Sequence, residues 1–207
     1  MKKKITCTLI LLSFCYLTFA QHRRGDIEFG INTGFNYTTV TNPSKIYPEF
    51  RKAFNFGVST GFYFSDRLSL KVKAIYDQKG WNDGFLLNTV GPDFVTNFHV
   101  NYITVPVMIS WHFAKKRNWY IHAGPYAGYL LSAQATRFGF DVKNYLHRAD
   151  FGAAFGVGTK IKLTDKLNLF VENDEQLGLI NSFKENSEPA AHNVRGSLNI
   201  GVNFMLD

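Results

Sequence analysis

Leu68-Ser-Leu-Lys-Val-Lys-Ala-Ile-Tyr76 decides the fold, because Leu68, Leu70, Val72, Ala74 and Tyr76 fall on one side of an extended chain and Ser69, Lys71 and Lys73 on the other. Side chains of a strand alternate between two faces, so this is a strand with one apolar and one polar surface. Near the end of the chain the pattern returns. There Val194, Leu198, Ile200, Val202 and Phe204 oppose Arg195, Ser197, Asn199, Gly201 and Asn203. Eight such segments can be drawn, at about 27–37, 54–64, 67–79, 99–113, 118–133, 149–163, 167–179 and 193–205.

The links between them alternate in length. Ser65-Asp66-Arg67, Ala114 to Asn118, and Thr164-Asp165-Lys166 are short and rich in turn formers or charge, whereas about 38–53, 80–98, 134–148 and 180–192 are long. Three short turns interleaved with four long loops gather the long loops at one end and leave both termini at the other.

Alternation by itself fits a soluble lipocalin-like barrel or a secreted sandwich as well as a membrane barrel. Residue size separates them. Gly30, Asn32, Gly34, Gly57, Ser59, Gly61, Gly124, Gly128, Gly152, Gly156, Gly158 and Gly201 occupy the polar column, where a water-facing surface would carry lysine and glutamate. Small side chains suit the inside of a narrow barrel. The opposite column is large and apolar, as in Phe29, Ile31, Phe35, Phe54, Phe56, Ile103, Val107, Ile109, Trp111, Phe151 and Phe155. Such a surface is an aggregation liability in water and the required surface in lipid. Aromatics also cluster at strand ends, with Trp111, Phe113 and Trp119 by the short turns and Tyr37, Tyr76 and Trp81 by the long loops, as in the two girdles of a membrane barrel. The expected fold is therefore all-β, an eight-stranded antiparallel up-and-down transmembrane β-barrel. Pro106 and Pro125 sit inside strands of one hairpin and cannot donate to a ladder, so a bulge or a break in pairing is expected there.

The N-terminus carries Lys2, Lys3 and Lys4, then an apolar run from Ile5 to Phe19 ending at Ala20. This reads as an export signal over residues 1–20, with the barrel domain over 21–207. A lipid anchor at Cys15 is the rival reading, and the bulky Phe14 before it argues against that. Both cysteines, Cys7 and Cys15, fall in the signal, which leaves no disulfide or thiol nucleophile in the mature chain. The chain carries 23 basic and 16 acidic residues, and with the three leader lysines removed the excess falls from +7 to +4. Those charges are dispersed along the chain, unlike the concentrated basic patch of a nucleic-acid binder.

Tyr76-Asp-Gln-Lys-Gly80, Asn101-Tyr-Ile-Thr-Val-Pro-Val107, Ala123-Gly-Pro-Tyr-Ala-Gly128 and Gly152-Ala-Ala-Phe-Gly-Val-Gly158 resemble segments of the PorT-type outer-membrane β-barrel family of Bacteroidetes. The resemblance covers essentially the whole mature chain. It implies an eight-stranded barrel in the outer membrane, and some relatives take part in protein secretion or gliding. These motifs are strand and turn features and carry no catalytic signature.

Charges of both signs share the inward column: Glu28, Lys71, Lys73, Asp77, Lys160, Lys162, Glu172, Asp174 and Arg195. An eight-stranded interior is just wide enough to be filled by side chains, and buried charges there must pair. An internal ion-pair network that plugs the barrel is expected, with a gated narrow pore or proton path as the alternative. His112 and His122 flank one hairpin and share the inward column, so packing is weighed there against a metal site; no cofactor is expected. A lipid-modifying catalytic group would draw on candidates such as His99, Asp93, His192 and Ser187, which lie in different long loops and could meet only by folding, and no spaced signature supports it. In the long loops, Lys45-Ile-Tyr-Pro-Glu-Phe-Arg51 and Trp81-Asn-Asp-Gly-Phe-Leu-Leu87 offer Tyr47, Phe50, Trp81 and Phe85 as partner-binding residues. The reading that results is a monomeric, non-enzymatic barrel with periplasmic termini. Its partners would be outer-membrane lipid, lipopolysaccharide or envelope proteins.

Overall fold

The computed structural model describes residues 24–41, 48–86, 94–184 and 190–206. The expected export signal lies outside the described residues, as does Tyr47. The strands are β1 (Ile27–Thr41), β2 (Glu49–Tyr63), β3 (Leu68–Leu86), β4 (Phe94–Phe113), β5 (Trp119–Ala135), the two-residue β6 (Phe140–Asp141), β7 (Ala149–Lys162), β8 (Leu167–Gly178) and β9 (His192–Leu206). Sheet order runs β4-β3-β2-β1-β9-β8-β7-β5, and β4 also pairs with β5, so eight strands close into a ring with β6 on the outer part of β5. Every pairing between these strands is antiparallel. Closure matters because an open edge in hydrocarbon would leave backbone N–H and C=O groups unpaired. No described helix is long and apolar enough to cross a membrane.

Burial alternates residue by residue, as in β1, where Glu28, Gly30, Asn32, Gly34 and Asn36 are buried and Ile27, Phe29, Ile31 and Phe35 are exposed. The glycine-bearing column faces inward. Exposed large apolar residues cover the outside, among them Phe54 at 64 %, Phe56 at 57 % and Ile109 at 57 %.

The strands run further at the long-loop end than alternation alone suggested. The link expected over 80–98 shrinks to 87–93, because residues 80–86 extend β3 and 94–98 extend β4. Gly80 (φ 127°), Asp83 (φ 53°) and Gly84 had the look of a loop, but they form an irregularity within a paired hairpin, where the register shifts between Trp81 and Gly84. β4 has 20 residues. At ~3.3 Å per residue and a tilt of ~40° such a strand rises about 50 Å, roughly twice the ~25 Å apolar band of an outer-membrane barrel. The β3–β4 hairpin therefore projects well beyond the lipid.

Pairing is interrupted at both strand prolines without a change of register. On the β3 side, Val72↔Val107 is followed by Ile75↔Thr104, skipping Pro106; on the β5 side, Pro106↔Tyr126 is followed by Ile109↔Ala123, skipping Pro125. Each proline lacks the N–H its neighbour would accept, so the ladder breaks where the donor is missing and resumes in phase. The backbones also approach closely here, since a Cβ on Gly124 would run into the Val107 carbonyl.

Candidate functional site: a filled lumen

The inward column brings most of its predicted charged residues into contact across the barrel. Glu172 on β8 accepts from Lys71 Nζ at 2.6 Å, from Lys73 Nζ and from Tyr120 Oη at 2.8 Å, and Lys73 also reaches Asp174 Oδ2 at 2.5 Å. Lys160 on β7 donates to both oxygens of Glu28 on β1, at 2.7 and 2.6 Å, and to Tyr63 Oη at 2.7 Å. Neither β3 and β8 nor β7 and β1 are neighbours in the sheet, so these bonds span the lumen. Burial makes the pairing obligatory: Glu172 is 0 % and Lys73 1 % exposed, and an uncompensated charge there costs several kcal/mol.

A second ion-pair group lies nearer the long-loop end. Arg195 Nε sits 2.9 Å from Asp77 Oδ1, and Lys79 Nζ sits 3.1 Å from Asp150 Oδ2, beneath the Tyr126 hydroxyl. Asparagines join the two groups. Asn199 donates to Asp174 (3.2 Å), Asn55 to Asn199 (3.0 Å) and to Asn36 (2.7 Å), and Asn36 to Asp77 (2.8 Å). Polar side chains thus connect from Lys71 and Glu172 to Asp77, and Lys79, 4.0 Å from Asp77, carries the contact on to Asp150. Amides suit the junction because one group both donates and accepts.

Lys162 departs from its expected place in this network. It lies at the short-turn mouth and donates to Asp165 Oδ1 at 2.6 Å, because the final residues of β7 run out of the enclosed lumen. Lys79, Asp150 and Arg51 were missed, although Lys79 shares the parity of Lys71 and Asp77, and Asp150 that of Gly152. Arg51 is buried and donates to the Lys79 carbonyl.

His112 and His122 both face inward but do not form one site. Tyr120 lies between them, with ring centroids 5.6 Å from His112 and 5.7 Å from His122; His112 Nε2 meets Ser69 Oγ at 3.0 Å. His122 Nε2 lies 2.8 Å from Asp174 Oδ1, and with Glu172 these residues offer ligand atoms within 4.8 Å of one another. Lys71 and Lys73 already hold those same carboxylates, so a cation entering there would have to displace buried ammonium groups. The cluster is an ion-pair centre.

At the long-loop end the lumen changes character. Val40, Trp81, Phe98, Val100, Leu130, Val142, Leu146 and Ala191 form a buried apolar cluster, with Phe183 packed against it. Trp81 stacks on Phe98 with centroids 4.7 Å apart and meets the edge of Phe183 at 5.9 Å, while Leu146 bridges to Phe183. Residues from two long links thus fold into the mouth and cap it. Trp81 was expected as a partner-binding loop residue; it is instead 3 % exposed on β3, because the inward parity of Lys71 to Lys79 continues through it. Phe50 and Phe85 are likewise strand residues. Phe50 is 57 % exposed beside Tyr37 on the outer wall, and Phe85 pairs with Val95. His99 lies exposed on β4 and His192 opens β9, while Asp93 and Ser187 lie outside the described residues.

A polar group also lies on the outer wall beside Gly196. Tyr37 Oη donates to Glu175 Oε1 at 2.7 Å and Asn173 Nδ2 to the same oxygen at 3.0 Å, with the Tyr37 ring lying over Gly196.

The barrel resembles solved outer-membrane structures. Neisserial surface protein A from Neisseria superposes with a TM-score of 0.53 at 13 % identity, over 86 % of this chain and 96 % of that one. The outer membrane protein OprG of Pseudomonas aeruginosa does so with a TM-score of 0.51 at 11 % identity, over 91 % and 99 %. No curated protein sequence matches significantly. Likeness at this identity speaks to the fold alone. Residues 19–184 match the family described as "Outer membrane protein beta-barrel domain", and the chain belongs to that family of the outer membrane.

Proposed function

We propose that this chain is a closed, non-enzymatic barrel that serves the outer membrane as a structural and surface component, working through its rim and not through its lumen. The observation that carries this reading is the continuous filling of the interior: ion pairs and amides from Glu28 to Asp150, then the apolar cap around Trp81. A channel needs a water-filled path, and these side chains occupy the space it would take. We read the long-loop end as extracellular, both termini as periplasmic and residues 1–20 as the export signal. Kinship with PorT-type barrels of Bacteroidetes, monomeric assembly and contact with lipopolysaccharide or envelope proteins belong to the same reading.

Planar-bilayer recordings of the refolded protein test it. No stable unitary conductance is expected in 1 M KCl, and a large, steady one would overturn the closed barrel. Of the residues the enzymatic alternative would draw on, His99 and His192 lie on β4 and β9, which are not neighbours in the ring. Deletion should leave the membrane lipid profile unchanged; a lipid change reversed by wild type but not by His99→Ala would refute the non-enzymatic reading.

A further inference from the structure

Two cations outside the lumen reach back onto the outer face of β5 at positions two residues apart. Lys143, in the short 3-10 turn Lys143–Tyr145, lays its Nζ back onto the Leu131 carbonyl at 2.5 Å, and Arg148 Nη1 comes within 3.5 Å of Tyr129 Oη. Tyr129 and Leu131 belong to the outer surface of β5 and are 52 % and 37 % exposed. The link positions the cations through its own burial pattern. Val142 and Leu146 are anchored in the apolar cap, which holds the segment between them against the rim while Lys143 and Arg148 reach over the outside.

Neither cation has an ion-pair partner among the described residues; the nearby Asp141 carboxylate accepts the Lys143 backbone N–H at 2.8 Å. The same segment exposes two aromatic rings, Tyr145 at 61 % and Phe140 at 55 %. A guanidinium on the Tyr129 hydroxyl and an ammonium on the Leu131 carbonyl, two residues along the same face of β5, suit a phosphate: Arg supplies a planar pair of donors, Lys a mobile point charge and Tyr a neutral donor. The adjoining apolar wall suits acyl chains. Such basic sites at a membrane boundary recognise lipid headgroups.

We propose that Lys143, Arg148 and the Tyr129 hydroxyl bind a phosphate of lipid A, the anchor of lipopolysaccharide, in the outer leaflet, with its acyl chains against the outer wall of β5 and β7. The proposal rests on the reading that the long-loop end faces outward.

The test uses the full-length mature protein refolded in micelles. It is titrated, with native mass spectrometry as readout, against bisphosphorylated lipid A, lipid A stripped of both phosphates, phosphatidylglycerol and inorganic phosphate. Wild type should prefer phosphorylated lipid A to every other probe. Lys143→Ala/Arg148→Ala should lose about tenfold or more in affinity and Tyr129→Phe about threefold, while Lys52→Ala, an exposed cation on β2, should lose nothing. Heat-modifiable gel migration verifies that each variant folds. Equal affinity of the double variant, equal binding of the dephosphorylated lipid or of phosphatidylglycerol, or an equal loss with Lys52→Ala would each overturn the proposal. Orientation is tested separately by labelling Asn144→Cys in intact cells with a membrane-impermeant maleimide. Labelling supports the outer-leaflet placement; protection until the outer membrane is opened would refute the orientation and the lipid A assignment with it, while leaving the closed lumen standing.

Discussion

Replacing Glu172 by glutamine removes one charge from the centre of the lumen while keeping the size of the side chain and one acceptor oxygen. Lys73 retains Asp174 at 2.5 Å, so the cation left without its carboxylate is Lys71. Breaking a buried pair from one side costs about 3–5 kcal/mol. Part of that is offset where Lys71 lies, since its Nζ is 5.1 Å from the ring centroids of both Tyr120 and Phe170, and desolvated cation–π contacts contribute about 1–2 kcal/mol. Those contacts exist in wild type too, so they limit the penalty only if the ammonium can settle onto the rings once the carboxylate is gone. A loss of about 3 kcal/mol is expected. Lys71→Met alone should cost less, about 1–2 kcal/mol, because Glu172 keeps Lys73 and the Tyr120 hydroxyl. In Lys71→Met/Glu172→Gln no cation is orphaned, and stability should recover part of the Gln loss, giving a coupling energy above about 1 kcal/mol. Urea unfolding of the barrel in lipid vesicles, followed by tryptophan fluorescence, measures all three. Trp111 and Trp119 report on the wall, where they are 46 % and 45 % exposed. A Glu172→Gln loss below about 1 kcal/mol, or a double variant less stable than Glu172→Gln, would refute the view that the pair is held by mutual compensation.

Three further outcomes follow from other parts of the wall and mouth. Val58→Arg places a cation on the outer face of β2, and should cost about 2–4 kcal/mol in vesicle unfolding if that face lies in hydrocarbon; an effect within 0.5 kcal/mol, the range of about ±0.5 typical of water-exposed positions, would contradict it. Trp81→Ala removes the centre of the cap, at an expected cost of about 3–5 kcal/mol in the same assay, and should speed cleavage within 136–148 and 179–191 in limited proteolysis; unchanged cleavage would argue that these links are not pinned by the cap. Gly124→Val forces a side chain against the Val107 carbonyl beside the proline gap and should lower the heat-modified gel transition, with a cost of at least about 1–3 kcal/mol; wild-type behaviour would mean that β4 and β5 can separate there freely.

Parity carried most of what the sequence could tell, and its limits were the limits of parity. From Leu68 to Tyr76 each side chain could be assigned to a face from its neighbours alone, and the same count places Lys79, Trp81 and Asp150 inside. Trp81 reads as a loop residue because Gly80, Asp83 and Gly84 resemble a turn; they are a bulged stretch of a hairpin that stays paired to Leu86↔Phe94. The identity of each charged residue's partner was of another kind. Lys71 and Glu172 are 101 residues apart and on strands that are not neighbours in the sheet, so their meeting depends on the diameter and stagger of the closed ring, which no local pattern encodes. Lys162 shows the same limit from the other side. It has the inward parity of Lys160, but two residues further along β7 the lumen has ended and Asp165 of the adjoining turn takes it.

A polar, ionic interior is a logical consequence of the apolar exterior. In lipid the outer column is already in a favourable solvent, so burying it within the protein would gain little, and the interior is free to carry groups that specify geometry. Sliding one strand by a single residue would exchange its faces, turning Lys71 and Lys73 into hydrocarbon at about 2–4 kcal/mol each near the midplane and stranding Glu172 inside. The cross-lumen pairs add a constraint that neighbouring strands cannot supply, because Lys71–Glu172 and Lys160–Glu28 tie strands separated in the ring and so fix its cross-section as well as its registers. Interiors selected in this way are filled as a by-product of being specified. What remains free to vary without disturbing the register is the far end, where β3 and β4 outrun the lipid and the link over 136–148 hangs from Val142 and Leu146. Recognition, if this barrel performs any, has to be built there.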